Sequence, residues 1–194
     1  MTSNTPSKAR LKELLEALSY EERPVVLASG ASSNQYVDCK QTALHPEGAL
    51  ALGHHLYSVV NELETSTGKT ALGVGGMSIG ADPLATATSL AAFSQGRHLP
   101  AYLVRKEPKG HGTQEYLEGM KNIPVGSDVV LVEDVITTGG STLRAAGYVR
   151  DAGLNPIGVA VIIDREVGGM KRLEEDGLNA IALFRLSEFG QGND

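Results

Sequence analysis

The stretch Val129–Thr142, VVLVEDVITTGGST, joins three kinds of residue in an order that decides the fold. Four apolar residues predict a buried strand, and Glu133 and Asp134 follow at its end. Gly139 and Gly140 then let the backbone approach a ligand closely, just before a predicted helix whose free N–H groups suit a phosphate. The two carboxylates suit hydrogen-bond donors, such as sugar hydroxyls or magnesium-bound water. A ribose phosphate would satisfy both halves of the stretch.

A simpler explanation is that these side chains only cap a helix. Asp, Ser and Thr are common at helix N-termini, where their oxygens accept hydrogen bonds from free backbone N–H groups. Capping alone does not explain why two acids stand side by side. Nor does it explain the row of hydroxyls that follows, at Thr137, Thr138, Ser141 and Thr142. We therefore expect a sugar-phosphate site at the end of this strand.

The rest of the chain alternates short apolar strands with amphipathic helices. A helix is predicted over residues 7–19, and two strands that form a hairpin follow within 24–40. Helices at 48–63, 82–95, 141–153 and 168–177 then alternate with strands at 70–76, 99–105, 128–134, 156–164 and 179–186. This alternation predicts a parallel sheet covered by helices on both faces. Ligands of such sheets bind beyond the carboxyl ends of the strands.

The composition limits the class of protein. The 194 residues suit one compact domain, and 17 Lys and Arg against 23 Asp and Glu give a net charge of −6. We expect no nucleic-acid or membrane partner, so any anion must be bound by a local positive cluster. Cys39 is the one cysteine, which excludes an internal disulfide and a cysteine metal cluster. The chain has neither a membrane-length apolar run nor an apolar signal sequence, and we predict a cytoplasmic protein.

Three glycine-containing motifs point weakly to other enzymes. GMSIG (76–80) matches a hydrolase nucleophile elbow, but neither acid between Ser78 and the last histidine follows a later strand. TGKT (67–70) lacks the first glycine of a P-loop, and GVGGMS (73–78) lacks the third glycine of a dinucleotide-binding fingerprint. We interpret residues 76–80 as a second glycine-rich turn facing phosphate oxygens, before a helix that begins near Asp82.

Basic residues are concentrated in a segment, residues 105–116, that we call the basic loop. Its Pro and Gly residues argue against a regular helix. A solvated surface loop is one interpretation. The other is a lid that folds over an anionic ligand, excludes water and neutralises a departing diphosphate. The positive groups available for this role are Arg105, Lys106, Lys109 and His111.

Arg165 follows directly after the strand predicted at 156–164. A guanidinium at a strand end can bind a carboxylate through two parallel hydrogen bonds. A surface ion pair with Asp164 or Glu166 would explain the residue equally well.

The stretch 129–141 resembles the phosphoribosyl-diphosphate signature of the type I phosphoribosyltransferases. Three further segments are similar to the orotate phosphoribosyltransferases: LASGASSNQYVDCK (27–40), RKEPKGHG (105–112) and DREVGG (164–169). The resemblance implies an α/β fold with a central, mainly parallel sheet flanked by helices. It implies a single domain over 1–194, with a small N-terminal hood from residues 1–45, a core from 46–194, and the basic loop as a flexible catalytic loop.

The resemblance also implies a reaction. The phosphoribosyl group of 5-phosphoribosyl 1-diphosphate (PRPP) would pass to orotate, giving orotidine 5′-monophosphate and diphosphate in pyrimidine biosynthesis. Lys109 and Asp134 would be catalytic, and Thr137 and Arg165 would bind orotate. The residues expected to bind PRPP are Arg105, Lys106, Lys109, His111, Glu133, Asp134, Val135, Ile136, Thr137, Thr138, Gly139, Gly140 and Ser141.

Cofactor and assembly are implied in the same way. Mg²⁺ would be bound mainly by the diphosphate of PRPP, with no metal ligands from the protein. The family pattern implies a homodimer in which the basic loop reaches the partner's site. Some members carry a lysine where this chain has Ala28, and some carry Tyr-Lys in the turn that contains Gly80. Other groups, such as backbone or water, would replace those two contacts.

Two other functions stay open. One is a phosphoribosyltransferase for another base, although Arg165 argues against a purine because a neutral purine has no carboxylate. The other is a non-catalytic regulator that senses PRPP. The positive charge of the basic loop argues against it, because a sensor has no leaving group to stabilise.

Overall fold

The computed structural model describes residues 5–26, 32–108 and 116–190. Helix α1 (Lys8–Leu18) begins after Ser7, whose hydroxyl accepts a hydrogen bond from the backbone N–H of Arg10 at 3.1 Å. Strands β1 (Tyr20–Val26) and β2 (Ser32–Val37) pair antiparallel in a sheet of their own. The predicted N-terminal helix and hairpin are therefore confirmed.

The main sheet has six strands in the order β5-β4-β3-β6-β7-β8. Neighbouring strands are parallel except β4 and β5. The elements are α2 (Lys40–Ala43), α3 (Pro46–Thr67), β3 (Val74–Met77), α4 (Ala81–Ser94), β4 (Ala101–Val104), β5 (Leu117–Glu118), β6 (Asp128–Ile136), α5 (Gly140–Asp151), β7 (Asn155–Asp164), α6 (Gly169–Glu175) and β8 (Asn179–Arg185). The predicted α/β fold with a mainly parallel sheet is confirmed, whereas the short elements α2 and β5 were not predicted.

Strand β6 is covered by helices on both faces. Val130 and Val132 pack in one core with residues of α1, α3 and α4. Val129 and Leu131 pack in a second core with residues of α5 and α6. Because side chains alternate across a strand, an unbroken apolar run can fill two cores at once.

The N-terminal part of the chain shares the first of these cores. Leu11 and Leu15 of α1 are fully buried there together with Leu52 and Leu56 of α3. The single domain and its division at residue 45 stay predictions. None of the helices within the described ranges combines the length and apolar character needed to cross a membrane. The cytoplasmic location also stays a prediction.

The parallel strands bring four strand ends to one edge of the sheet, which we call the ligand edge. Met77 of β3 lies beside Val104 of β4, and Ile136 of β6 lies beside Asp164 of β7. The segments that follow these strands therefore meet at the ligand edge. They are the turn 78–80, Arg105, residues 137–139 and Arg165.

Helices α3 and α4 are packed closely at Gly53, where a Cβ atom would lie 2.5 Å from the carbonyl oxygen of Ala87. We predict that Gly53→Ala pushes the helices apart and lowers the free energy of unfolding by about 1–3 kcal/mol, as overpacking does. Urea denaturation would measure the change.

Gly147→Ala in α5 is the matched control, because a Cβ there has no neighbour within 4 Å. This change should be neutral or stabilise by up to about 1 kcal/mol, the gain in helix propensity. Similar losses in both variants would argue against tight α3–α4 packing.

Candidate active site

The two acids at the end of β6 face opposite sides of the sheet. Glu133 continues the series of Val129 and Leu131 and points towards α5, whereas Asp134 continues the series of Val130 and Val132. The pleat of one strand therefore gives neighbouring carboxylates different surroundings.

Glu133 is 6% exposed and is bonded to the first turn of α5. Its Oε2 accepts hydrogen bonds from Thr142 Oγ1 at 2.7 Å and from Ser141 Oγ at 3.3 Å. Burial raises the pKa of Glu133 to about 8, and the negative charge of Asp134 adds to this shift. The hydroxyls of Ser141 and Thr142, which we expected near a sugar phosphate, thus bond to Glu133.

Asp134 is half-buried and lies over the turn 78–80. A Cβ atom at Gly80 would be 2.8–2.9 Å from the atoms of its carboxyl group. The backbone N–H of Val135 donates to its Oδ1 at 2.9 Å. The carboxylate therefore occupies the space that any side chain at position 80 would need.

Residues 137–139 form a loop, which we call the phosphate loop, directly before α5. The residue that caps α5 is Gly139, at φ 73°, so no side chain caps this helix. The simple capping explanation is therefore wrong, because no described side chain caps the first N–H groups of α5. Arg172 of α6 supports the loop from behind by donating from Nη1 to the carbonyl of Thr138 at 3.3 Å.

The hydrophobic residues of the predicted PRPP set, Val135 and Ile136, have backbone groups that are bonded within the protein. Ile136 is 1% exposed, and its carbonyl accepts a hydrogen bond from Arg165 N at 3.0 Å. The Val135 N–H is engaged by Asp134. Thr137 is half-buried and Thr138 is exposed, so their hydroxyls lie nearer to solvent.

The basic loop connects an antiparallel strand pair. Strands β4 and β5 pair at its two ends, and Arg105 N donates to the carbonyl of Tyr116 at 2.7 Å. The Arg105 guanidinium forms an ion pair with Glu118 at 3.2 Å. Lys106 is exposed. Lys109 and His111 lie outside the described residues.

The end of the basic loop also contacts α5. The ring of Tyr116 stacks on the ring of Tyr148, with centroids 3.8 Å apart and planes 8° apart. The phosphate loop and the basic loop are thus attached to the same helix, at its N-terminal end and along its side.

Arg165 is 8% exposed at the end of β7. Its Nη2 donates to the carbonyl of Gln35 at 2.9 Å and to Ser33 Oγ at 3.1 Å. Its Nε–H is buried and has no hydrogen-bond partner among the described residues. Burial lowers the pKa of the guanidinium below its ordinary value.

The surface ion pair considered for Arg165 is not formed within the described ranges. Asp164 accepts a hydrogen bond from Glu166 N at 2.8 Å, and Glu166 accepts one from Ser187 N at 3.0 Å. The sequence analysis did not identify Ser33 and Gln35 as partners of Arg165. Only the resemblance of segment 27–40 pointed to that part of the chain.

The elbow hypothesis for Ser78 finds no support. The Ser78 hydroxyl donates to Asp82 Oδ1 at 2.7 Å, which is a helix-start contact and not a nucleophile–base pair. Helix α4 begins at Ala81, close to the start near Asp82 that we predicted after the second glycine-rich turn.

The donor set at the ligand edge does not form a metal cage. In the part of the chain that is described, no three or more His, Cys, Asp or Glu side chains are grouped closely enough to hold a metal ion. Glu133 and Asp134 are the carboxylates at the end of β6. Such a pair fits a cation that takes most of its oxygen ligands from a bound substrate.

Comparison with known proteins identifies the family. Residues 84–177 match the phosphoribosyl transferase domain. The orotate phosphoribosyltransferase of Sorangium cellulosum (strain So ce56) is 40% identical over 182 residues, which cover 94% of this chain and 92% of that protein. This chain belongs to the orotate phosphoribosyltransferases. The corresponding protein of Nostoc sp. (strain PCC 7120 / SAG 25.82 / UTEX 2576) is 41% identical over 184 residues, covering 95% of this chain and 85% of that one.

Solved structures of orotate phosphoribosyltransferases agree with this assignment. The Mycobacterium tuberculosis H37Rv enzyme in complex with Fe(III) dicitrate has a TM-score of 0.78 and 36% identity, covering 95% of this chain and 99% of that one. The same enzyme in complex with PRPP has a TM-score of 0.74 and 34% identity, again covering 95% and 99%. The fold and family predicted from the sequence are confirmed.

The buried Glu133 should make the stability of this protein depend on pH. Its pKa of about 8 lies above the ordinary value of 4.5, so between these values the folded state keeps a proton that the unfolded state has lost. This residue therefore lowers the free energy of unfolding as the pH rises from about 4.5 to 8, by at most about 1.4 kcal/mol per pH unit.

Glu133→Gln should remove that dependence, so that the variant gains stability relative to the natural protein as the pH rises. Urea denaturation at pH 5, 6.5 and 8 would measure the difference. Glu174→Gln, at an exposed position of α6, is the control and should run parallel to the natural protein. Parallel curves for Glu133→Gln as well would contradict the raised pKa.

Proposed function

We propose that the ligand edge is where this chain performs the reaction of its family. The phosphoribosyl group of PRPP passes to orotate, giving orotidine 5′-monophosphate and diphosphate in pyrimidine biosynthesis. The observation that carries the proposal is the buried Nε–H of Arg165, which has no partner among the described residues. A buried donor without an acceptor is costly, and a ligand carboxylate would supply the acceptor. Orotate has such a carboxylate.

The position of Arg165 supports the same assignment. Its backbone N–H is bonded to Ile136, the residue directly before the phosphate loop. An orotate carboxylate at the guanidinium would therefore lie beside Thr137, the second residue we assign to orotate. The base and the sugar phosphate would then be bound by neighbouring strand ends.

The phosphate loop and α5 account for the 5-phosphate. We assign the phosphate to the free N–H groups at the start of α5 and to the hydroxyls of Thr137 and Thr138. Glu133 and Asp134 would accept hydrogen bonds from the ribose hydroxyls. Asp134 is the more accessible of the two, because Glu133 is buried against Thr142.

The chemistry is a displacement at ribose C1. The bond from C1 to the diphosphate oxygen breaks, the bond from C1 to the pyrimidine nitrogen forms, and positive charge develops at C1. The carboxylate of Asp134, on the ribose side, favours that positive charge. Lys109 would stabilise the negative charge on the departing diphosphate, together with Arg105, Lys106 and His111.

The family generally uses Mg²⁺ with PRPP, and here the ion would be bound mainly by diphosphate oxygens, whose negative charge it neutralises. Glu133 and Asp134 would orient the ribose next to it. Gly80 offers no side chain in place of the lysine that some relatives have in the turn 78–80, and the Asp134 carboxyl group lies next to its Cα. Ala28 lies outside the described residues.

We further propose that the protein is a homodimer whose basic loop acts in the partner's site. Large apolar side chains are exposed on α3 and α4: Leu50 by 46%, Leu90 by 64% and Phe93 by 70%. Leu50 and Leu90 line a groove between these helices. A second copy would cover this apolar surface, which is a common use of such patches.

Two substitutions separate the proposed roles. Arg165→Ala should raise the KM for orotate by about tenfold to a hundredfold, the loss of a charged hydrogen-bonded contact, with little change in the KM for PRPP. Lys109→Ala should mainly lower kcat. An absorbance assay of orotate consumption with PRPP and Mg²⁺ measures both.

Lys171→Ala, an exposed position in α6, serves as the control and should leave both constants unchanged. An unchanged orotate KM in Arg165→Ala would refute the role of Arg165. Turnover with another base and none with orotate would refute the substrate.

Mixing the two impaired variants, assayed at an orotate concentration well below the KM of Arg165→Ala, tests the shared site. Lys109→Ala and Arg165→Ala subunits, co-expressed at equal amounts, should form heterodimers with one intact site if the basic loop acts across the interface. About a quarter of all sites would then be intact, since half of randomly paired dimers are mixed. Activity no higher than the mean of the two variants would show that the loop acts within its own subunit.

A further inference from the structure

Glu166 has an unusual backbone conformation next to the proposed orotate-binding arginine. Its φ is 60°, and it is the one non-glycine residue with a positive φ among the described residues. This left-handed conformation costs an L-residue with a side chain roughly 1–2 kcal/mol. Such strain persists only where the surrounding structure enforces it.

Hydrogen bonds to Asp164 and Ser187 enforce it here. The backbone N–H of Glu166 donates to Asp164 Oδ1 at 2.8 Å. The Glu166 carboxylate accepts from the backbone N–H of Ser187 at 3.0 Å, in the 3-10 turn Leu186–Glu188 that follows β8. Hydrogen bonding with the Ser187 side chain, and then with its backbone N–H, lowers the pKa of Glu166, so the carboxylate is charged at neutral pH.

These bonds fix the backbone on one side of Arg165, and another bond fixes the other side. The N–H of Arg165 donates to the carbonyl of Ile136 at 3.0 Å. With both neighbouring peptide groups held, the direction in which the Arg165 side chain leaves the backbone is set. That direction brings Nη2 to Ser33 and Gln35 and leaves Nε–H unpartnered.

A glycine at position 166 would adopt this conformation without strain. It would lack the carboxylate that bonds to Ser187 and keeps the backbone in place. The glutamate provides a carboxylate that reaches Ser187, and this contact offsets the cost of the backbone conformation. The side chain of Glu166 is exposed and bonded away from Arg165. The Glu166 side chain therefore contacts the backbone of the turn after β8 and not the Arg165 guanidinium.

We propose that Glu166 is a positioning residue for orotate: its bond to Ser187 holds the turn after β7 so that the Arg165 guanidinium faces the orotate carboxylate. The inference rests on the proposed role of Arg165. It assigns to Glu166 no contact with substrate.

Three substitutions of Glu166 separate positioning from stability. Glu166→Gln keeps an acceptor oxygen for Ser187 and should leave the orotate KM within about twofold of the natural value. Glu166→Ala loses the acceptor and keeps the strain, and should raise the orotate KM by about three- to tenfold, the equivalent of one hydrogen bond. Neither change should alter the KM for PRPP.

Glu166→Gly is the decisive variant, because it loses the acceptor and also removes the strain. Its melting temperature should be at or above that of Glu166→Ala, while its orotate KM stays raised. Glu188→Ala is the matched control in the same 3-10 turn. Its carboxylate accepts from Arg185 N at 2.7 Å and does not hold residue 166.

The double variant Arg165→Ala/Glu166→Ala tests whether Glu166 acts through the arginine. Its orotate KM should equal that of Arg165→Ala alone, because there is no guanidinium left to position. A further increase in the double variant, or an unchanged orotate KM in Glu166→Ala, would overturn the inference. If Arg165→Ala alone leaves the orotate KM unchanged, the proposed function of that residue fails instead, and this inference fails with it.

Discussion

The parallel pairing of β6 with β7 is the constraint on which the site depends. The ladder runs from Asp128 and Asn155 to Ile136 and Asp164, so both strands end at the same level. One more backbone bond, from Arg165 N to Ile136 O, continues the ladder beyond the strands. A shift of one residue would turn every side chain of a strand to the opposite face and would separate Arg165 from the phosphate loop. Burial on both faces makes such a shift very costly, because apolar side chains fill two cores at once.

The same burial explains how a carboxyl group is tolerated at Glu133. Hydroxyls of the first turn of α5 satisfy one of its oxygens, and its raised pKa favours the neutral form. Since those hydroxyls belong to the helix whose N-terminus faces the ligand edge, the buried acid also fixes that N-terminus against the sheet. The Glu133 side chain therefore both packs in the core and positions the N-terminus of α5.

The sequence was sufficient for the fold because strand and helix periods were clear in every long element. Elements α2 and β5 have four and two residues, too few to show a period. The functional candidates near the strand ends, residues 133–134 and 165, were predictable from the apolar runs before them. The partners of these residues were not, because Ser33 lies 132 residues from Arg165 and no local pattern links such distant positions. The two acids seemed equivalent in the sequence, but they face opposite sides of β6, where Glu133 is buried against Thr142 and Asp134 lies half-buried beside Gly80.

The space beside Gly80 ties the turn 78–80 to the conformation of Asp134. A Cβ at position 80 would lie 2.8–2.9 Å from the Asp134 carboxyl group, so a side chain there would require that group to rotate away. A larger residue at position 80, acceptable in a relative whose aspartate points elsewhere, would here displace an acid of the ligand edge. The direction of the Asp134 carboxylate is thus coupled to the size of the residue at position 80.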